Sequence, residues 1–234
     1  IFAYIAGQYD ELVCTDINHR ASRYVAANFC LNEVHGRILK GDLFHEGLRK
    51  ERFSRIVSNP PFVALPRPLQ SINTRPSLYS IAGVNGTDIL QRIVAESHDY
   101  LRSNGKLLMV TEVPNIEDSC DLLKLYSEKR FHIGVAYVGA DVEEVEVYGQ
   151  ARENEVSETL HQNERWCMEQ EEMSIRNRAL ALIAMKPDDN SGGSVYRFDP
   201  SVPKSIDSEE QDEEDAFLTK QGIHFTRSNL IFNS

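Results

Sequence analysis

Apolar and polar residues along the chain fall into short apolar blocks separated by longer stretches with helical spacing. Residues 11–16 form a short apolar run that ends in an acid, which predicts a strand. Asn18 or the residues just after it then open a helix over 19–32, with Ala21, Val25, Ala26 and Phe29 at helical spacing. Residues 37–40 and 53–58 predict two more short strands. Residues 88–102 carry Ile89, Leu90, Ile93, Val94 and Leu101 on one helical face, and Ser103-Asn104-Gly105 reads as a turn into a strongly apolar strand over 106–113. A helix over 117–129 and strands over 132–138 and 178–185 complete the pattern. At the start, residues 1–6 read as a helix end capped by Gly7. Strands alternating with helices predict an α/β fold, a mainly parallel sheet covered on both faces.

Polar groups at the carboxyl ends of such strands line one edge of the sheet, where α/β folds take ligands. Asp16, Asp42 and Asn59 all fall at ends of this kind. After Asn59 come Pro60, Pro61 and Phe62. Each proline fixes its own φ, lacks an N–H and restricts the residue before it. The backbone at Asn59 and Pro60 is therefore stiff and extended. A fixed carbonyl and the Asn59 amide oxygen can accept both hydrogens of one planar –NH2 group, while the Phe62 ring covers its plane. An amide or exocyclic amine is a poor nucleophile because its lone pair is delocalised. Two aimed acceptors stabilise the charge that grows on nitrogen as it attacks. Four residues alone read more readily as a proline turn with an aromatic packed beneath it; three strand ends together are harder to obtain by chance.

A length of 234 residues accommodates one α/β domain with appendages. There is no run of about eighteen apolar residues, so no membrane-spanning helix is expected. Cys14, Cys30, Cys120 and Cys167 lie far apart without C-x-x-C spacing. That argues against a zinc site or a disulfide framework and for a reducing compartment, cytoplasm or organellar matrix. The formal net charge is −11, and seven acids between Asp207 and Asp215 carry much of it. This is not the basic footprint of a nucleic-acid binder.

At these strand ends the chain resembles the class I S-adenosylmethionine-dependent methyltransferases, within them the methyltransferase small domain group. That group includes release-factor glutamine methyltransferases and rRNA guanine-amine methyltransferases. The resemblance covers residues 1–186 and rests on Thr15-Asp16-Ile17, Gly41-Asp42-Leu43-Phe44 and Ser58-Asn59-Pro60-Pro61-Phe62, in the group's order and spacing. It implies a Rossmann-like fold with an antiparallel last strand and S-adenosyl-L-methionine as methyl donor. It also implies that Asp16, with Ile17, holds the ribose hydroxyls and that Asp42, with the Leu43 backbone, takes the adenine amine. Asn59 and the Pro60 carbonyl would hold the target nitrogen, followed by Pro61, and Phe62 would pack on the substrate plane. The implied activity is N-methylation of a planar nitrogen: a protein glutamine, as in release factors, or a guanine or adenine amine of RNA or DNA. Net acidity favours protein; Phe62 in place of tyrosine is seen in rRNA-type members. No metal is implied.

The group's Gly-rich loop after its first strand has no counterpart. The expectation is that the chain begins inside the first helix, lacks the first strand, and binds the cofactor poorly or not at all in this form. A non-catalytic binding module that kept the fold is the alternative. A dehydrogenase also uses an acid after its second strand, but leaves the Asn-Pro-Pro-Phe run unexplained. Seven scattered histidines have no metal spacing, Ser58 lacks a G-x-S-x-G elbow, and Gly83-Val84-Asn85-Gly86 lacks a phosphate-loop lysine, so it reads as a hinge beside the substrate. Charged residues 155–172 read as a helix, a solvated face more readily than a substrate-side insertion. Residues 187–234, polar and acidic, read as a disordered tail, with 222–232 regaining apolar character.

Overall fold

The structure, a computed structural model, describes residues 11–48, 51–65, 80–115, 118–128, 130–137, 143–146, 160–188, 195–198, 224–225 and 230–231. The expected helix end at 1–6 with Gly7, residues 66–79 of the irregular loop that Pro66, Pro68 and Pro76 predict over 63–84, and the acidic run at 207–215 lie outside these residues. The chain divides into two compact units, Ile1–Arg52 and Phe53–Ser234.

In the first unit, strands β1 (Val13–Asp16) and β2 (Arg37–Lys40) pair in parallel, Asp16 opposite Lys40. Helix α1 (His19–Leu31) connects them, and the Asn18 side chain caps it by accepting the Arg20 N–H. Phe29 and Ser22 form its buried face, while Ala26, expected on that face, is exposed. Arg37 pairs with Glu11 and Glu51, which ties the start of β2 to both flanks.

The second unit is built on a six-stranded sheet. Strand β3 (Phe53–Ser58) runs parallel to β4 (Leu101–Pro114). Strand β7 (Asn177–Pro187) lies antiparallel between β4 and β5 (Phe131–Tyr137), and the two-residue β6 (Glu143–Glu144) pairs with its start. β5 also pairs in parallel with β8 (Val195–Phe198), a strand within the stretch expected to be a loose tail. The result is α/β: a mainly parallel sheet, as the apolar pattern predicts, with one antiparallel strand, as the family resemblance implies. Leu107, Met109 and Val113 of β4, Ile133 and Val135 of β5, and Ala181, Ile183 and Met185 of β7 are buried, as expected where a sheet is covered on both faces. Helix α2 (Asp88–Ser97) turns Leu90, Ile93 and Val94 inward, and α3 (Ser119–Tyr126) contributes Leu123. Near the end of the chain, β9 (His224–Phe225) and β10 (Leu230–Ile231) pair antiparallel.

Two boundaries differ from the sequence reading. The helix expected over 88–102 ends at Ser97, and a 3-10 turn, His98–Tyr100, passes straight into β4. Ser103-Asn104-Gly105 is not a turn before the strand but a bulge inside it: Phe53 faces Leu101, and Arg55 already faces Lys106. Gly105 suits this crowded bulge, since a Cβ there would lie 2.8 Å from the Phe53 carbonyl oxygen. Among the described residues no helix is long and apolar enough to cross a membrane.

Candidate functional site

The residues singled out in the sequence sit on two strand-end surfaces, one in each unit. In the first unit, Asp16 ends β1 and Asp42 follows β2, so the carboxyl ends of adjacent parallel strands each carry an acid. One Asp16 carboxylate oxygen accepts the Asn18 N–H at 2.7 Å, and its backbone oxygen accepts the Gly41 N–H at 3.1 Å. These bonds fix the side chain at the entry to α1 and leave acceptor capacity on the second carboxylate oxygen. Ile17 beside it is exposed. Asp42 is exposed, and Leu43 has φ 47°, a left-handed conformation that non-glycine residues adopt rarely and at a cost.

In the second unit, β3 delivers the chain at Ser58 into Asn59-Pro60-Pro61-Phe62. Asn59 is exposed, Pro60 buried, and Pro61 and Phe62 half-buried. Beyond Phe62 the chain is stapled to the segment that leads into α2. The Val63 N–H donates to the Ser80 carbonyl at 2.7 Å and the Ala82 N–H to the Val63 carbonyl at 2.9 Å; the Leu65 N–H donates to the Gly83 carbonyl at 3.1 Å. Gly83 and Gly86 both have positive φ, at 89° and 72°. A Cβ on Gly86 would collide with the Phe62 carbonyl oxygen and the Arg178 guanidinium, so only glycine lets this loop lie against the turn.

The expected hinge at 83–86 is held on several sides. The Val84 carbonyl accepts from Trp166 Nε1 at 3.0 Å and Gln170 Nε2 at 3.2 Å, both on helix α4 (Leu160–Glu172). Asn85 Oδ1 accepts from the backbone N–H and the hydroxyl of buried Thr87, whose Oγ1 in turn accepts the Tyr126 hydroxyl at 3.0 Å. Burial pushes the Tyr126 phenol above its ordinary pKa, partly offset by that hydrogen bond. Arg178, 1% exposed, donates from Nη1 to the Asn85 carbonyl at 2.7 Å, from Nη2 to the Phe62 carbonyl at 3.4 Å and from Nε to Glu112 at 3.3 Å.

Sequence reasoning missed these supporting residues. The charged stretch read as a solvated helix instead buries Trp166 and Gln170, and Trp166 packs with Ala64, Val145 and Ile175. Arg165, Met168, Glu171 and Glu172 do face solvent, which is why its composition reads as exposed. A tryptophan within that charged run was the available signal. Among the described residues no group of histidine, cysteine, aspartate or glutamate could hold a metal ion.

Residues 2–75, which include both acids and the Asn-Pro-Pro-Phe turn, match the family model of the methyltransferase small domain. Over that stretch the chain is similar to the methyltransferase small domain, the group its strand-end motifs resemble. It is 36% identical over 114 residues to a ribosomal protein uL3 glutamine methyltransferase of Francisella tularensis, across 45% of this chain and 34% of that protein. A release factor glutamine methyltransferase of Xylella fastidiosa is 30% identical over 102 residues, across 42% of this chain and 37% of its own length. A bifunctional methyltransferase of Rickettsia typhi is 27% identical over 128 residues, across 53% of this chain and 25% of its own. The matches thus span well under half the length of these relatives. A methyltransferase structure from Pyrococcus furiosus superimposes at a TM-score of 0.45 with 14% identity over 80% of this chain and 69% of its own, too loosely to carry an argument.

Proposed function

We propose that the protein is an S-adenosylmethionine-dependent methyltransferase that methylates the side-chain amide nitrogen of glutamine in a protein substrate. The observation that carries this reading is the Asn59 turn: an exposed amide on a stiff proline backbone, at the carboxyl end of a sheet strand and followed by a half-buried aromatic. Two relatives named for glutamine methylation support it, and so does the acidic charge, which disfavours RNA or DNA. Residues 1–186 make up most of the catalytic domain in this reading, and β8, from the stretch that follows them, completes its sheet.

The chemistry of the available groups suits this donor. Asp16 with Ile17 and Asp42 with Leu43 supply carboxylates and backbone at adjacent strand ends, acceptors of the kind a ribose diol and an adenine amine require. When bound, S-adenosylmethionine supplies an electrophilic methyl group on a sulfonium. The remaining work belongs to Asn59, Pro60 and Phe62. The Asn59 side-chain oxygen and the Pro60 carbonyl accept the two amide hydrogens, hold the nitrogen in line and stabilise its growing positive charge. Phe62 covers the amide plane and excludes water from it. Formation of the N–C bond would break the methyl–sulfur bond, whose electron pair stays with the sulfur, and the surplus proton on nitrogen then leaves to bulk water.

Calorimetric titration of S-adenosylmethionine into the full-length protein, followed by labelled methyl transfer to a release factor, ribosomal protein uL3 and ribosomal RNA, tests the reading. Donor binding with label on protein glutamine supports it. Label on RNA would overturn the substrate, and a well-folded protein that binds no donor would overturn the activity and leave a non-catalytic binding module.

A further inference from the structure

Arg178 lies on β7, yet two of its hydrogen bonds to described residues reach segments 93 and 116 positions earlier in the chain, at Asn85 and Phe62. Burying a guanidinium is costly unless its donors are used. An ion pair alone would spend them on a carboxylate. Here the Glu112 and Phe62 contacts are both long, at 3.3 and 3.4 Å, and the shortest bond, 2.7 Å, goes to the Asn85 carbonyl in the loop. Three different nitrogens of one planar fork reach three different segments: β4 through Glu112, the 83–87 loop through Asn85, and the exit of the Asn59 turn through Phe62.

We propose that Arg178 is a positioning residue that clamps the Phe62 carbonyl and the 83–87 loop so that the Asn59-Pro60-Pro61-Phe62 turn holds its substrate amide in register. The role in catalysis rests on the methyl-transfer reading above. The turn is fixed at its start by β3, which pairs with β4 up to Ser58. Its far end is an aromatic whose ring direction follows from its own backbone. Pinning the Phe62 carbonyl sets that peptide plane, and the Asn85 bond presses the loop against it. Gly86 completes the arrangement, because any side chain there would wedge between the Phe62 carbonyl and the Arg178 fork. The Val84 carbonyl, held by Trp166 and Gln170, anchors the same loop to helix α4.

The test is Arg178→Lys in the full-length protein, read in two ways. Lysine keeps the charge opposite Glu112, but its single ammonium cannot reach all three segments. Hydrogen exchange at 62–65 and 82–87 should quicken about tenfold or more, with the amides of β4, β5 and β7 unchanged. The kcat for methyl transfer to a release factor should fall about ten- to a hundredfold, with KM and donor affinity nearly constant, the signature of a misplaced reacting group. Two further variants guard against a folding failure. Glu112→Gln removes the ion pair and leaves the fork on its carbonyls, so it should lower stability but hold kcat. Gly86→Ala displaces the Phe62 carbonyl from an intact Arg178 and should reproduce the loss of kcat.

Unchanged loop exchange in Arg178→Lys, or an equal loss of kcat in Glu112→Gln, would overturn the clamp and leave an ordinary buried ion pair. If the unaltered protein transfers methyl to none of the probes, the methyl-transfer reading fails instead, and the exchange pattern still decides whether Arg178 holds the turn.

Discussion

The two units carry their candidate residues on very different supports. In Ile1–Arg52, a single pair of four-residue strands bears Asp16 and Asp42, and the buried apolar side chains among the described residues are Cys14, Phe29 and Leu48. Two strands alone are marginal, so local bonds from Asn18 and Gly41 to Asp16, and the Arg37 ion pairs, do much of the holding. In Phe53–Ser234, the Asn59 turn leaves a sheet in which most described residues of β4, β5 and β7 are buried, and a guanidinium, a tryptophan and a glutamine fasten the adjoining loop. If the turn places a reacting nitrogen, rigidity is what it needs, since small misplacements are costly there. Carboxylates that grip a diol tolerate local adjustment. In the proposed reading, the support matches the precision each role demands.

The same truncation should expose this contrast most strongly in stability. Leu107→Ala, at a fully buried position of β4, should cost about 2–5 kcal/mol, whereas Leu39→Ala, half-buried on β2, should cost about 1 kcal/mol or less. Denaturant titration of both variants checks it, and equal costs would erase the distinction. Next in size, Asp16→Ala should weaken S-adenosylmethionine about tenfold or more by calorimetry, as expected for losing a charge-assisted acceptor. Unchanged affinity would remove Asp16 from the donor site.

The smallest effect concerns pH, and its sign differs between the units. Burial, with Arg55 and then Lys186 nearby, depresses Lys106 from 10.5 to about 8. Between those values the unfolded chain binds the extra proton, so Lys106 makes stability rise with pH. Burial raises Cys14 from 9.0 to about 11, so the folded chain keeps a proton that the unfolded chain loses, and stability falls across that window. Lys106→Met should flatten the rise and Cys14→Ala the fall, in denaturation midpoints measured from pH 8 to 11.

Much of this organisation was legible in the sequence because it depends on neighbours in the chain. Strands 37–40 and 53–58, the Asn18 cap and the proline turn are all set by local alternation, capping chemistry and backbone restriction. What escaped depends on distant partners. The Ser103-Asn104-Gly105 bulge reads as a turn until Phe53 and Arg55 are seen to pair on either side of it. Trp166 and Gln170 hide in a charged helix because their partner, Val84, lies more than 80 positions away. An arginine near the start of an apolar strand likewise gives no hint that it reaches Phe62 and Asn85.

The most direct test of the central claim is methyl transfer from S-adenosylmethionine to a release factor by the full-length protein and its Asn59→Ala variant, with the modified side chain located by mass spectrometry. The account predicts one methyl group on a glutamine amide. It also predicts turnover about a hundredfold slower in the variant at unchanged donor affinity, the scale of losing one aimed hydrogen-bonding group. Equal turnover in the two proteins, or a methyl group on a different kind of side chain, would contradict it.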